Sequence, residues 1–169
     1  MSSSDRRTFL ASAGLMLAGL PLAACGFRPV YGTGGPAQSL MDKVRVDDPV
    51  TGNDFYLVER LEERLGRSRQ PVYRLAYNVN VKRTGLGLTG ENAVTRYNID
   101  GTVNYRLVDE ADGKVLTSGL VRTFVSYSSS GTTVATAAAS SDAYQRLMRL
   151  LADQIVNELL ASSGRWSGK

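Results

Sequence analysis

Histidine is absent from the 169 residues. Its absence excludes Ser-His-Asp and Cys-His nucleophilic sites and every histidine-ligated metal site. Cysteine occurs once, at Cys25, so neither an intrachain disulfide nor a thiolate zinc cluster can form within one chain. No GxGxxG, P-loop or EF-hand loop is present. There is no block of like charge of the kind that binds nucleic acid as a tail. No apolar run is long enough for a comfortable spanning helix of ~20 residues. Carboxylate-only catalysis stays open in principle, but Asp109-Glu110-Ala111-Asp112-Gly113 reads more simply as a hairpin turn than as an acid/base pair. These absences move the expectation away from catalysis and toward binding or structure.

What is present is organised around Cys25. Residues 1–8 are polar and carry Arg6 and Arg7, and residues 9–23 are apolar or small. That is the charged region and short apolar region of a signal peptide. Ala23 and Ala24 directly precede Cys25, which resembles the lipobox of bacterial lipoproteins. Residues 1–24 are then a removed leader. Cys25 is the expected lipid anchor, with a diacylglyceryl group on sulfur and an N-acyl group on the new terminus. Each buried methylene contributes ~0.8 kcal/mol, so two or more chains hold where one does not. The plainer alternative is a cleaved signal that leaves a free thiol. Ser4-Asp5-Arg6-Arg7-Thr8-Phe9-Leu10 resembles a twin-arginine signal in part, and export stays open between that route and the general secretory one. The net charge of +4 falls by one without the leader, a mildly basic balance.

Residues 25–39 are rich in Gly and Pro and read as the lipidated N-terminus and tether. Residues 40–163 read as one domain, and 164–169 as a loose tail. Val44 and Val46 alternate with Lys43 and Arg45, the period of a strand. A helix follows, capped by Thr51 or Asn53, with Phe55, Leu57, Val58, Leu61 and Leu65 on its apolar side and Gly66 at its stop. Tyr73, Leu75, Tyr77, Val79 and Val81 alternate with polar residues in a long strand. Residues 84–90 read as a glycine-rich turn. Tyr97, Ile99, Gly101, Val103, Tyr105 and Leu107 form a second alternation. Residues 115–127 form a third, whose facing is ambiguous between Leu116, Leu120, Phe124 and Val115, Val121, Val125. A long helix from about 135 to 161 aligns Tyr144, Leu147, Met148, Leu151, Ile155 and Leu159. The pattern predicts an α+β two-layer sandwich. It has about four strands in a mixed sheet and two amphipathic helices packed on one face, in the order β-α-β-β-β-α.

The tyrosine and leucine stripes are core. The sheet's other face carries arginine and asparagine and is either solvated or set against another polar wall. At the glycine-rich turn, Leu86 and Leu88 stand near Lys82, Arg83 and Arg96. Apolar groups beside cations suit an amphiphile with acyl chains and phosphates, although a floppy turn with solvated cations has the same composition.

Cys25-Gly26-Phe27-Arg28-Pro29-Val30-Tyr31-Gly32 resembles the mature start of the LPS-assembly lipoprotein LptE family. The similarity continues through the element order, Tyr97-Asn98, Val125-Ser126-Tyr127 and Ala152-Asp153-Gln154-Ile155. It departs at Ser128-Ser129-Ser130, where related sequences often continue with Asn. The resemblance implies a non-enzymatic lipoprotein of the bacterial outer membrane, on its periplasmic face, without cofactor or metal. It implies two partners, the LptD β-barrel, which the protein plugs and helps assemble, and lipopolysaccharide bound for the outer leaflet. Lys82, Arg83, Leu86, Leu88 and Arg96 are the expected lipopolysaccharide contacts, and Arg74, Arg96 and Arg106 the expected barrel contacts. The rival reading is a periplasmic lipoprotein adaptor, or an auxiliary subunit of another lipid-transport system.

Overall fold

The computed structural model describes residue 32 and residues 35–88, 94–129 and 131–166. Cys25 and the turn between Leu88 and Val94 lie outside the described residues. From Pro36 on, the chain forms α1 (Pro36–Leu40), β1 (Val44–Val46), α2 (Gly52–Leu65), β2 (Tyr73–Leu88), β3 (Val94–Asp109), β4 (Val115–Ser128) and α3 (Thr133–Ser162). The sheet order is β1-β2-β3-β4. β1 runs parallel to β2, and the other neighbours are antiparallel. This is the expected α+β sandwich, with α1 added inside the stretch whose composition suggested a tether. Ala37 and Leu40 of that short helix are buried.

Local chemistry sets the ends of α2. The Thr51 hydroxyl accepts from the Asp54 amide at 3.2 Å, and the Asp54 carboxylate accepts from the Thr51 amide at 3.0 Å, a reciprocal capping box. Asp54 therefore occupies the buried line of the helix ahead of Leu57, Val58, Leu61 and Leu65. Phe55, one residue on, is turned outward and is 55% exposed, which corrects its expected place on the core stripe. Gly66 ends the helix at φ +79°, a conformation that favours glycine. The much longer α3 is capped by Thr132, whose hydroxyl accepts from the Ala135 amide at 3.2 Å.

α3 packs on β3, β4 and α2. Leu147, Met148, Leu151, Ile155 and Leu159 are fully buried against Ile99, Val103 and Leu107. Gly101 gives the helix leucines room to seat on the sheet, since a Cβ there would lie 2.8 Å from Leu151 Cδ1 and 3.0 Å from Leu147 Cδ2. Polar contacts fix the helix laterally. Arg60 on α2 donates to both Asp153 oxygens at 3.0 and 3.2 Å, and Arg64 Nη1 donates to Asp153 Oδ1 at 2.7 Å. Tyr105 on β3 donates to Glu158 Oε2 at 2.6 Å, and burial together with that bond raises the Tyr105 phenol above its ordinary range.

The ambiguous facing of β4 is settled by its register. Val121, Val125 and Tyr127 are buried, whereas Leu120 and Phe124 point outward at 44% and 65% exposure. Leu107 pairs with Thr117 but Val108 with Val115, so Leu116 is an extra residue in the ladder, a bulge. Its side chain packs against the core and Val115 is exposed. Trp166, expected in a loose tail, follows a 3-10 turn at Ser163–Arg165 and meets Tyr73 edge-on at 5.5 Å.

Gly101→Val should cost about 1–3 kcal/mol by overpacking, and Leu151→Ala about 2–5 kcal/mol by leaving a cavity. The outward Phe124→Ala should stay within about 0.5 kcal/mol. Urea denaturation of the three variants measures all three values.

Candidate functional site

With both long helices on one face, the opposite face of the three long strands is uncovered among the described residues. The register brings even-numbered residues there in rows. Ala76, Arg106 and Ser118 form one row, and Asn78, Asn104 and Leu120 the next. Asn80, Thr102 and Arg122 follow, then Lys82, Asp100 and Phe124. Arg74 stands opposite Val108, and Leu86 opposite Arg96. Arg74, Arg96 and Arg106, the expected barrel contacts, thus share one face, and Arg122 joins them. The sequence reading missed Arg122, Leu120 and Phe124 because it could not orient β4.

The electrostatics of this face are one-sided. Arg74, Lys82, Arg96, Arg106 and Arg122 stand among Asn, Ser and Thr, with Asp100 the carboxylate in those rows. Arg74 Nη1 lies 3.5 Å from Asp47 Oδ2. Asp100 accepts from Asn98 Nδ2 at 3.0 Å, and Asn98 Oδ1 accepts from the Ser126 hydroxyl at 2.9 Å, so that carboxylate is tied into a polar chain. A shallow depression of about 530 Å³ lies in the middle, lined by Ala76, Asn78, Asn104, Arg106, Ser118 and Leu120.

The five expected lipopolysaccharide contacts do not form one cluster. β2 continues as strand through Leu88, so residues 84–88 extend the alternation that had been read as a turn. Lys82, Leu86 and Arg96 therefore belong to the open face. Arg83 lies on the helix-side face, where its guanidinium sits 4.8 Å from the Tyr97 ring centroid and donates to the Tyr127 hydroxyl at 3.4 Å. Tyr97 and Tyr127 stack at 5.3 Å. The bond to Tyr127 raises the Arg83 pKa, keeping it charged. Leu88 pairs with Val94 at the last described position of the ladder. Both sides of β2 are exposed from Lys82 to Gly87, so this end of the hairpin extends past the cover of the helices.

Among the described residues no three metal-ligating side chains converge, and no helix is long and apolar enough to cross a membrane. The described residues from Pro36 on form a small two-layer α+β domain with an uncovered basic face. A candidate lipoprotein from Caulobacter crescentus is 23% identical with a TM-score of 0.64, over 76% of this chain and 94% of that one. Rare lipoprotein B from Shewanella oneidensis is 16% identical with a TM-score of 0.56, over 73% and 96%. Lipoprotein B from Nitrosomonas europaea is 17% identical with a TM-score of 0.56, over 73% and 85%. At these identities the likeness is one of fold. A comparison with curated protein sequences finds no match. The profile of the LptE lipopolysaccharide-assembly family matches residues 41–159, and the chain belongs to that family.

Tyr77 flanks this face at the start of the free edge of β2. Its hydroxyl donates to the Asp48 carbonyl at 3.3 Å. Burial, and then the charges of Asp54, Asp47 and Asp48, push its pKa up to about 12. The fold therefore favours the neutral phenol, and this contribution is complete below the unfolded value of 10.0. It is lost as pH rises from there to about 12, because the unfolded chain ionises first. Urea denaturation across that range should show wild-type stability falling more steeply than that of Tyr77→Phe.

Proposed function

We propose that this protein is a non-enzymatic lipoprotein of the bacterial outer membrane that plugs the LptD β-barrel and helps it assemble. It binds lipopolysaccharide on the way to the outer leaflet. Residues 1–24 are its leader, Cys25 carries the acyl chains, and the segment after it links the anchor to the domain. The observation that carries this reading beyond family membership is the uncovered sheet face. Among the described residues one face of three long strands has no covering layer, and its side chains are mainly polar and cationic, with Leu86, Leu120 and Phe124 exposed among them. The lumen of a large outer-membrane barrel is polar, so a plug needs polar contact faces, and this face supplies one.

Mild detergent extraction followed by purification should yield a stoichiometric large β-barrel partner. An inner-membrane transporter in its place favours the rival reading of an auxiliary subunit. Charge reversal at Arg74, Arg96 and Arg106 should leave the fold nearly unchanged, since surface substitutions usually cost under ~0.5 kcal/mol, and should lower the yield of the complex. Unchanged yield for all three assigns the contact to the helices or loop ends.

Lipopolysaccharide binding is assigned to the exposed end of the β2–β3 hairpin, where the two faces separate the cations. Lys82→Glu with Arg96→Glu tests the open face, and Arg83→Glu tests the helix side. The variant that touches the site should lose affinity for purified lipopolysaccharide in a salt-dependent way with an unchanged circular dichroism spectrum. Undiminished binding in both removes these cations from the site.

A further inference from the structure

β2 has a ladder partner along its whole length on one side only. β3 pairs with it from Tyr73 to Leu88, whereas β1 pairs only with Tyr73, Arg74 and Leu75. The Asp47 amide makes the last bond on that side, donating to the Leu75 carbonyl at 3.0 Å. The backbone of a strand repeats every two residues. The N–H and C=O groups of Tyr77, Val79, Val81 and Arg83 therefore face the same way as those of Leu75, and none of the described residues pairs with them there. Such an edge is a template for another strand. Its defences are confined to the far end, where the exposed Lys82 and Arg83 and the positive-φ Gly87 stand, and there is no proline between Tyr77 and Leu88.

The space beside this edge has the shape a strand requires. A groove of about 610 Å³ runs between the edge and the loop that leads into α2. Its apolar lining is Val50, Val79 and Val81, with Val50 at 90% exposure and both strand valines half-buried. At the β1 end the groove is bordered by Asp47 and the exposed Asp48, and beyond its other end stand Lys82 and Arg83. Unpaired amides and carbonyls in register call for a peptide backbone. The valines call for apolar side chains at alternate positions, and the charge polarity calls for a cation at one end and an anion at the other.

The geometry points to strand addition. The free edge of β2 from Tyr77 to Arg83 binds an extended polypeptide segment of a partner protein, with a basic residue at the end that meets Asp47 and Asp48. Main-chain bonds supply the affinity and the alternate side chains the selectivity, as in other β-augmentation sites. The site is distinct from the open face, because it uses the edge and the helix-side valines and none of the arginines of the outward rows.

The test is amide hydrogen exchange by NMR on the full chain. The probe is a synthetic peptide of about eight residues with alternating valine and threonine, lysine at one end and glutamate at the other, made in both orders. At saturation at least one order should slow exchange at Tyr77, Val79, Val81 and Arg83 by about tenfold or more. Val79→Pro removes one outward N–H and leaves the β2–β3 ladder intact, a position that an edge strand tolerates. It should abolish this protection. Asp48→Lys, on an exposed loop, keeps the fold and should weaken binding by about threefold. Unchanged exchange, equal binding to Val79→Pro, or equal binding to Asp48→Lys overturns the proposal. Slow exchange without peptide also overturns it. If that protection rises with protein concentration a second copy fills the edge, and if it does not, the chain's own N-terminal segment does.

Discussion

The approach of α3 to the sheet at Gly101 is the contact on which the other features depend. With leucines seated over that glycine, α3 buries a continuous row of leucine, methionine and isoleucine on one face, each side chain contributing ~1.5–3 kcal/mol on burial. Asp153, held by Arg60 and Arg64, keeps α2 alongside α3. The Tyr105–Glu158 bond sets where α3 crosses β3. Gly119 belongs to the same arrangement, because a Cβ there would lie 2.6 Å from the Tyr105 hydroxyl. All of this cover lies on one face, so the other face is left to water or to a partner.

This one-sidedness ties the fold to the proposed role. A domain with helices on both faces would have a self-sufficient core and no broad polar surface of regular strands. Here the strands also run past the helices, which exposes both sides of β2 near its end, and β1 stops after three residues, which leaves an edge. The uncovered face, the projecting hairpin and the free edge all follow from long strands combined with short cover. The three surfaces meet at the far end of β2, where Lys82, Arg83 and Arg96 stand within reach of more than one of them.

Much of this was legible in the sequence. The alternation in β2 and β3 places Arg74, Arg96 and Arg106 on one face, because period-two patterning needs nothing beyond the local chain. The cap and stop of α2 were legible at Thr51 and Gly66 for the same reason. Phe55 was misplaced because the stripe was drawn from apolar residues alone, whereas the buried line begins with Asp54, which is polar and engaged in a cap. Lys82 and Arg83 were grouped as neighbours in sequence. The glycines at 85 and 87 looked like a turn, so the strand period was stopped at Lys82, although one further residue places Arg83 on the opposite face and continuing to Leu86 places that leucine with Lys82.

The chain by itself determined the order of the four strands and two long helices, the one-sided core and the absence of histidine and thiol chemistry from the domain, since these depend on residue type and local period. Tertiary structure decided which face of β4 points inward, since Leu120, Phe124, Val121 and Val125 are equally apolar and only the β3 register and the Leu116 bulge choose between them. It also decided how far β1 accompanies β2. The length of a sheet edge is a matter of where a neighbouring strand departs, and here Asp48 and Pro49 turn the chain away to begin α2, leaving the amides and carbonyls of β2 beyond Leu75 without a ladder partner on that side among the described residues.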